Sequence, residues 1–388
     1  MGILNNTVSI CQFQILGTLP ATELTAWVGE NLANDGFRSI EQTSEELSSG
    51  WVQLDDYQES SFADPHTFQR DHYFVFSLRR DQRKLPSTLV KPYMLKAEQE
   101  WLAANPQFKR VPKQQRDDLR DAVRGSLFAK TLPVPAIYDV IWDTRSNLIT
   151  FSSLGTKTVD LFVDQFKKSF EGLRLVPLHP FARAGQVIDS ALQPALSKAN
   201  CSGSEAVLEL IEANQWLGRD FLLWLMHETM NAASEYTINQ PGPALIGEGF
   251  VAFLNDRLLL AASSETGVQK VTVTGPQDHF SEVRTALQGG KDIHESVLYL
   301  EKKEQLWKMS LKGGTFHFAS FKAPPVTLEK DDITDPAMER EAVFFERMYL
   351  LEEGLQLFDS LFAAFLTQRL EANWAKKEQA IRTYLAIV

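Results

Sequence analysis

Arg116, Arg120 and Arg124 recur at every fourth residue, so on a helix their guanidinium groups leave from one side. Leu119, Val123 and Leu127 keep the same spacing on a different face. Such a helix can dock through its apolar residues while holding three permanent cations out to solvent. Lys109, Arg110, Lys113 and Lys130 lengthen the basic patch at both ends. Planar, always-charged guanidinium groups suit phosphate oxygens, and phosphate contacts supply affinity without reading a base sequence. The same residues also fit a plain solvated face, with Asp117 paired to Arg120 and Asp121 to Arg124. Taken alone, the residues leave both readings open.

The surroundings sharpen the contrast. Between Arg79 and Lys130 there are thirteen Lys/Arg against six Asp/Glu, a local charge of +7 on a chain of −11, which leaves −18 for the rest. A basic island on an acidic molecule confines a polyanion to one place.

Signals for catalysis are weak. Seven histidines (His66, His72, His179, His227, His279, His294 and His317) lack paired ligand spacing. His227-Glu228 opens like a zinc-protease helix, but position 231 is Asn and the second histidine is missing. Gln288-Gly289-Gly290-Lys291-Asp292 lacks both the leading glycine and the Ser/Thr of a phosphate loop. The acidic stretch Glu329, Asp331, Asp332 and Asp335 could hold Mg²⁺ in a nuclease, yet its proline-flanked setting reads as a solvated loop. No serine or cysteine carries a nucleophile signature. Phe221, Trp224, Phe316, Phe318 and Phe321 could stack bases if exposed, but their periodicity reads as core. The expectation is a chain with no catalytic residue, no metal and no cofactor.

Several short motifs carry a family likeness. Arg83-Lys84-Leu85-Pro86-Ser87, Lys113-Gln-Gln-Arg116-Asp-Asp-Leu119-Arg120, Trp142-Asp143 and Val176-Pro177-Leu178 follow one another in order, with Gly50-Trp51-Val52 upstream. In order and spacing this pattern resembles the RdgC family of recombination-associated DNA-binding proteins, from about Asn6 to Leu178, and fades beyond. The resemblance implies a ring-shaped homodimer whose positive lining encircles duplex DNA without reading bases, and which modulates RecA-type recombination. It implies DNA contacts by Lys109, Arg110, Lys113, Arg116, Arg120, Arg124 and Lys130. It also implies an apolar subunit contact at the end of the helical excursion, here Phe128, Leu132 and Pro133, with Leu132 where the family usually has an aromatic. A RecA-type recombinase is the candidate protein partner; a nuclease, or an adaptor acting through the C-terminal half, is the alternative.

The elements that must position these residues read as an α+β protein. A chain of 388 residues, 44% apolar and 23% charged, is globular and long for one core. Alternation predicts strands over 7–16, 72–78, 137–142, 148–152 and 173–178, and helical periodicity predicts helices over 22–34, 87–105, 112–131 and 157–172. Residues 1–178 thus read as an α+β lobe with a helical excursion over 87–131, in which Ser87 is a plausible helix cap. Residues 179–203, rich in small and polar types, read as a linker. Residues 204–388 read as a C-terminal α+β region of helix, β-hairpins (one turning at Asn255-Asp256) and a closing helix from about Asp335 to Leu370. The longest strongly apolar run, Leu217 to Met226, contains Arg219 and Asp220 and is far short of the ~20 residues of a membrane span. The N-terminus has no signal-like pattern, Asn6 argues against myristoylation, and Cys11 and Cys201 read as reduced thiols. The expected location is cytoplasmic and nucleoid-associated, with no membrane partner.

Overall fold

The computed structural model describes residues 2–43, 45–264, 267–327 and 335–386. The chain opens with β1 (Thr7–Leu16), α1 (Leu24–Asn34), β2 (Leu47–Val52), β3 (Gln69–Arg70) and β4 (Tyr73–Gln82). Two long helices follow, α2 (Ser87–Ala104) and α3 (Lys113–Phe128). Next come β5 (Val134–Asp143), β6 (Leu148–Phe151), α4 (Thr156–Ser169), β7 (Arg174–Pro177), α5 (Pro180–Val187), α6 (Gln193–Ala199), α7 (Val207–Ala213) and α8 (Gln215–Asn231). The remainder is β8 (Glu235–Thr237), β9 (Gly249–Ser264), β10 (Gly267–Val273), α9 (Ser281–Gln288), β11 (Asp292–Lys302), β12 (Gln305–Lys312), β13 (His317–Lys322), α10 (Pro336–Leu370) and α11 (Trp374–Ala386). The class is mixed α+β with antiparallel pairing, as the periodicities predict.

The chain forms two compact units that cut across the expected boundaries. One, the hairpin unit, takes Leu16–Ile149 and Val159–Arg174; the other, the C-terminal unit, takes Met1–Ile15, Thr150–Thr158 and Leu175–Val388. The first strand therefore belongs with the last one. β1 pairs with β13, Thr7 opposite Lys322 and Ile10 opposite Phe318. Its buried residues include Val8, Ile10 and Phe13, and it follows β13 in a sheet order that begins β10-β9-β11-β12-β13-β1 and continues to β6. Segment 179–203 is not a linker: α5 and α6 occupy most of it, because Ala184, Val187 and Leu196 have apolar neighbours to bury against.

In the hairpin unit, β4 lies between β2 and β5, and β3 adds to its start. Ten residue pairs join β4 to β5, from Tyr73 opposite Asp143 to Gln82 opposite Val134. Residues 83–133, with α2 and α3, thus leave and rejoin the sheet at one hydrogen-bonded rung. Trp51, Phe76, Trp142, Phe162, Phe166 and Phe170 fill the core beneath. Trp51 Nε1 donates to Ser169 Oγ at 2.7 Å, giving the buried indole its partner.

In the C-terminal unit, α8 and the 35-residue α10 supply Phe221, Phe358, Phe362 and Phe365 to an aromatic core that also takes Phe316 and Phe318 from the sheet side. Phe221, Trp224, Phe316, Phe318 and Phe321 are all buried, which settles them as core. Gly218 of α8 meets the backbone of Gly313 so closely that a Cβ would fall 1.8 Å from the Gly313 carbonyl oxygen. Asn255-Asp256 is not a hairpin turn, because β9 runs through it. The register with β11 slips between Leu258 opposite Ser296 and Asn255 opposite Val297, so the extra residues bulge out. Asp256 sits there at φ +62°, a conformation short polar residues tolerate in bulges as in turns. Its carboxylate accepts from Lys308 Nζ at 2.6 Å and from the Tyr299 hydroxyl.

Candidate nucleic-acid interface

Arg83 is the foot of the helical excursion. Its guanidinium donates to the carbonyls of Thr131 (2.6 Å), Glu45 (2.6 Å), Ile40 (2.8 Å) and Glu41 (3.1 Å), and the side chain is 1% exposed. It joins the outgoing and returning ends of the excursion and ties both to the segment before β2. Arg79 is also internal. It forms a two-pronged pair with Asp81 at 2.8 Å and lies 4.2 Å over the Phe37 ring. Two of the thirteen local cations are therefore structural, and the usable charge is smaller than the count suggests.

α2 begins after Pro86, which occupies the cap position, so Ser87 is the first helical residue and makes no capping bond. The proline's fixed φ sets the helix start where a hydroxyl was expected to. Pro92 sits inside α2, and no α2 residue is fully buried. Leu89, Tyr93 and Leu95 are exposed, as is Phe108 in the turn to α3, although Phe108 still meets Trp101 at 5.3 Å between ring centroids. Between the helices lies a groove of about 380 Å³, with Val90, Met94 and Leu95 inside and Lys91, Arg116 and Arg120 at its rim.

On α3 the two expected faces separate. Leu127 is buried and Leu119 and Val123 are half-buried, while Arg116, Arg120 and Arg124 keep 58%, 54% and 45% of their side chains exposed. Each arginine has a carboxylate partner. Arg116 Nε donates to Glu98 Oε1 at 2.6 Å, Arg120 Nη1 donates to Asp117 Oδ1 at 3.2 Å, and Arg124 Nη2 lies 3.5 Å from Glu46 Oε2. The predicted Asp117–Arg120 pair forms; the Asp121–Arg124 pair gives way to Glu46, which reaches in from before β2. Lys109, Arg110, Lys113 and Lys130 are exposed, and among the described residues none of them takes part in a recorded ion pair.

The expected apolar contact divides. Leu132 is 75% exposed, with Val134 exposed beside it and Pro133 half-buried. Phe128 is buried, with the Arg124 guanidinium 5.5 Å over its ring, so it anchors α3 and offers no contact surface.

His227 is buried and paired to Glu228 at 2.9 Å, and Glu228 also binds Lys377, which makes the pair a brace between α8 and α11. Asp335 caps α10 by accepting from the Ala337 N–H at 2.9 Å; Glu329, Asp331 and Asp332 lie outside the described residues. Among the described residues, no three His, Cys, Asp or Glu side chains gather as a metal ion would need. Both cysteines are free. Cys11 is buried and donates to the Ser153 carbonyl at 3.2 Å, and burial pushes its thiol up to about 12. Among the described residues no helix is long and apolar enough to cross a membrane.

Residues 14–193 match the family model described as "Putative exonuclease, RdgC". Over this stretch the chain is similar to the RdgC family. No curated protein matches the chain. The matched stretch contains the whole hairpin unit, and the RdgC-like motifs turn out to be mostly its scaffold. Trp51 and Trp142 are core, Arg83 clamps the foot, and Gly50 lies where a Cβ would fall 2.6 Å from the Phe37 backbone. The Lys113–Arg120 motif faces solvent, as do Lys84, Pro86 and Ser87 of the first motif.

Proposed function

We propose that this RdgC-like protein is a non-catalytic, sequence-independent DNA-binding protein acting in recombination, and that α3 with its flanking lysines is the phosphate-binding surface. The observation that carries this reading is the division of α3, with Leu119, Val123 and Leu127 turned inward while Arg116, Arg120 and Arg124 stand about half-exposed in one row. Lys109, Arg110, Lys113 and Lys130 continue that row at either end. The surrounding acidity lowers sticking elsewhere. The finer reading is a homodimer that closes around duplex DNA, with Leu132 and Pro133 at a small subunit contact beside the foot of each excursion, in the nucleoid and alongside a RecA-type recombinase. The exposure of Leu132 and Val134 beside the foot of the excursion supports such a contact.

Fluorescence anisotropy with two unrelated duplexes tests the central claim. Both should bind alike, and affinity should fall roughly 10³-fold or more between 50 and 200 mM salt, as several phosphate contacts require. Arg116→Ala, Arg120→Ala and Arg124→Ala together should abolish binding; normal binding by that variant sinks the reading. The description of the family model favours a second reading, an exonuclease. Metal-dependent degradation of end-labelled DNA with Mg²⁺, Mn²⁺ or Zn²⁺ would establish it.

A further inference from the structure

Each arginine of the α3 row already holds an anion, and each anion comes from a different part of the hairpin unit. Glu98 reaches Arg116 from α2, Asp117 reaches Arg120 from within α3, and Glu46 reaches Arg124 from the segment before β2. Asp118 and Asp121 stand on the same helix, likewise exposed carboxylates, and among the described residues neither forms an ion pair. The pairing is thus selective. Three carboxylates occupy the three guanidinium groups that face solvent in one row, and two neighbouring carboxylates do not.

We propose that Glu98, Asp117 and Glu46 compete with DNA phosphates for Arg116, Arg120 and Arg124, so that the protein carries its own polyanion substitute and binds DNA weakly by construction. A tethered carboxylate within 2.6–3.5 Å of its cation is present at high effective concentration, so an incoming phosphate gains only the difference between two anions. The pairs could instead help by fixing the guanidinium groups in place. Exposure decides against that for Arg120 with Asp117 and Arg124 with Glu46, because an ion pair between half-exposed side chains is loose and orders little; Glu98, 19% exposed, holds Arg116 more firmly. Competition also suits a protein that must move along a duplex, since each phosphate contact that breaks is replaced within the protein. The inference rests on the α3 row being the DNA surface and names what sets its strength.

The test is a charge-matched cycle read by anisotropy on one duplex at low salt. Glu46→Gln, Glu98→Gln and Asp117→Asn together should tighten DNA binding roughly tenfold. The control, Asp118→Asn with Asp121→Asn, removes acidity from the same helix without freeing an arginine and should give a clearly smaller gain per charge removed. In the Arg116→Ala, Arg120→Ala, Arg124→Ala background, the triple neutralisation should give no gain beyond the control. Equal gains per charge from the two sets, or a gain that survives without the arginines, overturns competition in favour of a general charge effect. Should Glu98→Gln fail to fold, Glu46→Gln with Asp117→Asn runs the same cycle against the same control. The two readings fail differently. Arginine variants that bind like the parent sink the DNA surface itself, whereas arginine variants that lose binding while the neutralised set gains nothing sink only the competition.

Discussion

The same residue type works in opposite ways in the two units. On α3 of the hairpin unit, three arginines stand about half in water and pair with carboxylates. In the C-terminal unit, Arg183 is 2% exposed, faces Asp359 at 3.0 Å, donates to Gln12 Oε1 at 2.6 Å, and lies near the rings of Phe318 and Phe358. Burial lowers the Arg183 pKa and raises that of Asp359, and their mutual attraction opposes both shifts. Lys302 repeats the pattern, buried between Glu353 at 2.7 Å and Glu248 at 2.8 Å. A buried charge is held by its partner and is costly to orphan; an exposed one is free to change partners. The difference teaches where to look for binding: among the charges whose loss the fold would not notice.

The sharpest break of that comparison is Arg183→Ala, which leaves the half-buried Asp359 carboxylate without its cation and should cost up to about 3–5 kcal/mol in urea denaturation. Replacing both partners at once, Arg183→Met with Asp359→Leu, should cost much less. If the single and double variants lose the same stability, the pair is not coupled as described. Arg83→Ala comes next, at about 2–4 kcal/mol, because four carbonyls lose a charged donor. Hydrogen exchange should rise first in α2 and α3, and Arg83→Lys should not restore it, since one ammonium cannot span the fork.

Acid separates the units further. Burial holds His179 and His317, both in the C-terminal unit, down to about 4. The unfolded chain takes up those protons nearer 6.5, so the stability tied to their neutrality is full above that value and is lost as pH falls from about 6.5 towards 4. Stability measured at constant salt should fall over that window through the C-terminal unit, where both histidines lie. His179→Gln with His317→Gln should flatten the profile; an unchanged profile places the acid sensitivity elsewhere. The smallest effect is expected at Leu132. Leu132→Asp should change stability by about 0.5 kcal/mol or less, while reducing retention on closed circular DNA more than binding to short linear duplex. No change on circles removes Leu132 from any subunit contact.

The local elements were largely legible from the residues. The α3 row, the leucine face, the hairpin between Asp143 and Leu148 and the strand over 7–16 all follow from spacing that a single element imposes. What was not legible depends on residues far apart. Glu46 takes Arg124 away from Asp121 only because the foot of the excursion brings the segment before β2 alongside α3. Phe128 could be assigned to a contact surface only while Arg124 and the sheet were out of view. The first lobe expected over 1–178 gives its first strand to the C-terminal unit because β1 pairs with a strand some 300 residues later, and nothing in either sequence names the other. Asn255-Asp256 shows the remaining kind of ambiguity, since polar residues that accept positive φ serve bulges and turns alike.

That pairing of β1 with β13 has a consequence for how the molecule is made. At a synthesis rate of roughly 5–20 residues per second, β1 emerges roughly 15–60 s before Lys322 exists to meet Thr7. The hairpin unit is complete by residue 174 and can fold on the ribosome in that interval. Through it the nascent chain trails an apolar strand, Val8, Ile10 and Phe13, with an open hydrogen-bonding edge. Chaperone capture of ribosome-bound chains should therefore persist until translation passes β13 and then drop in one step.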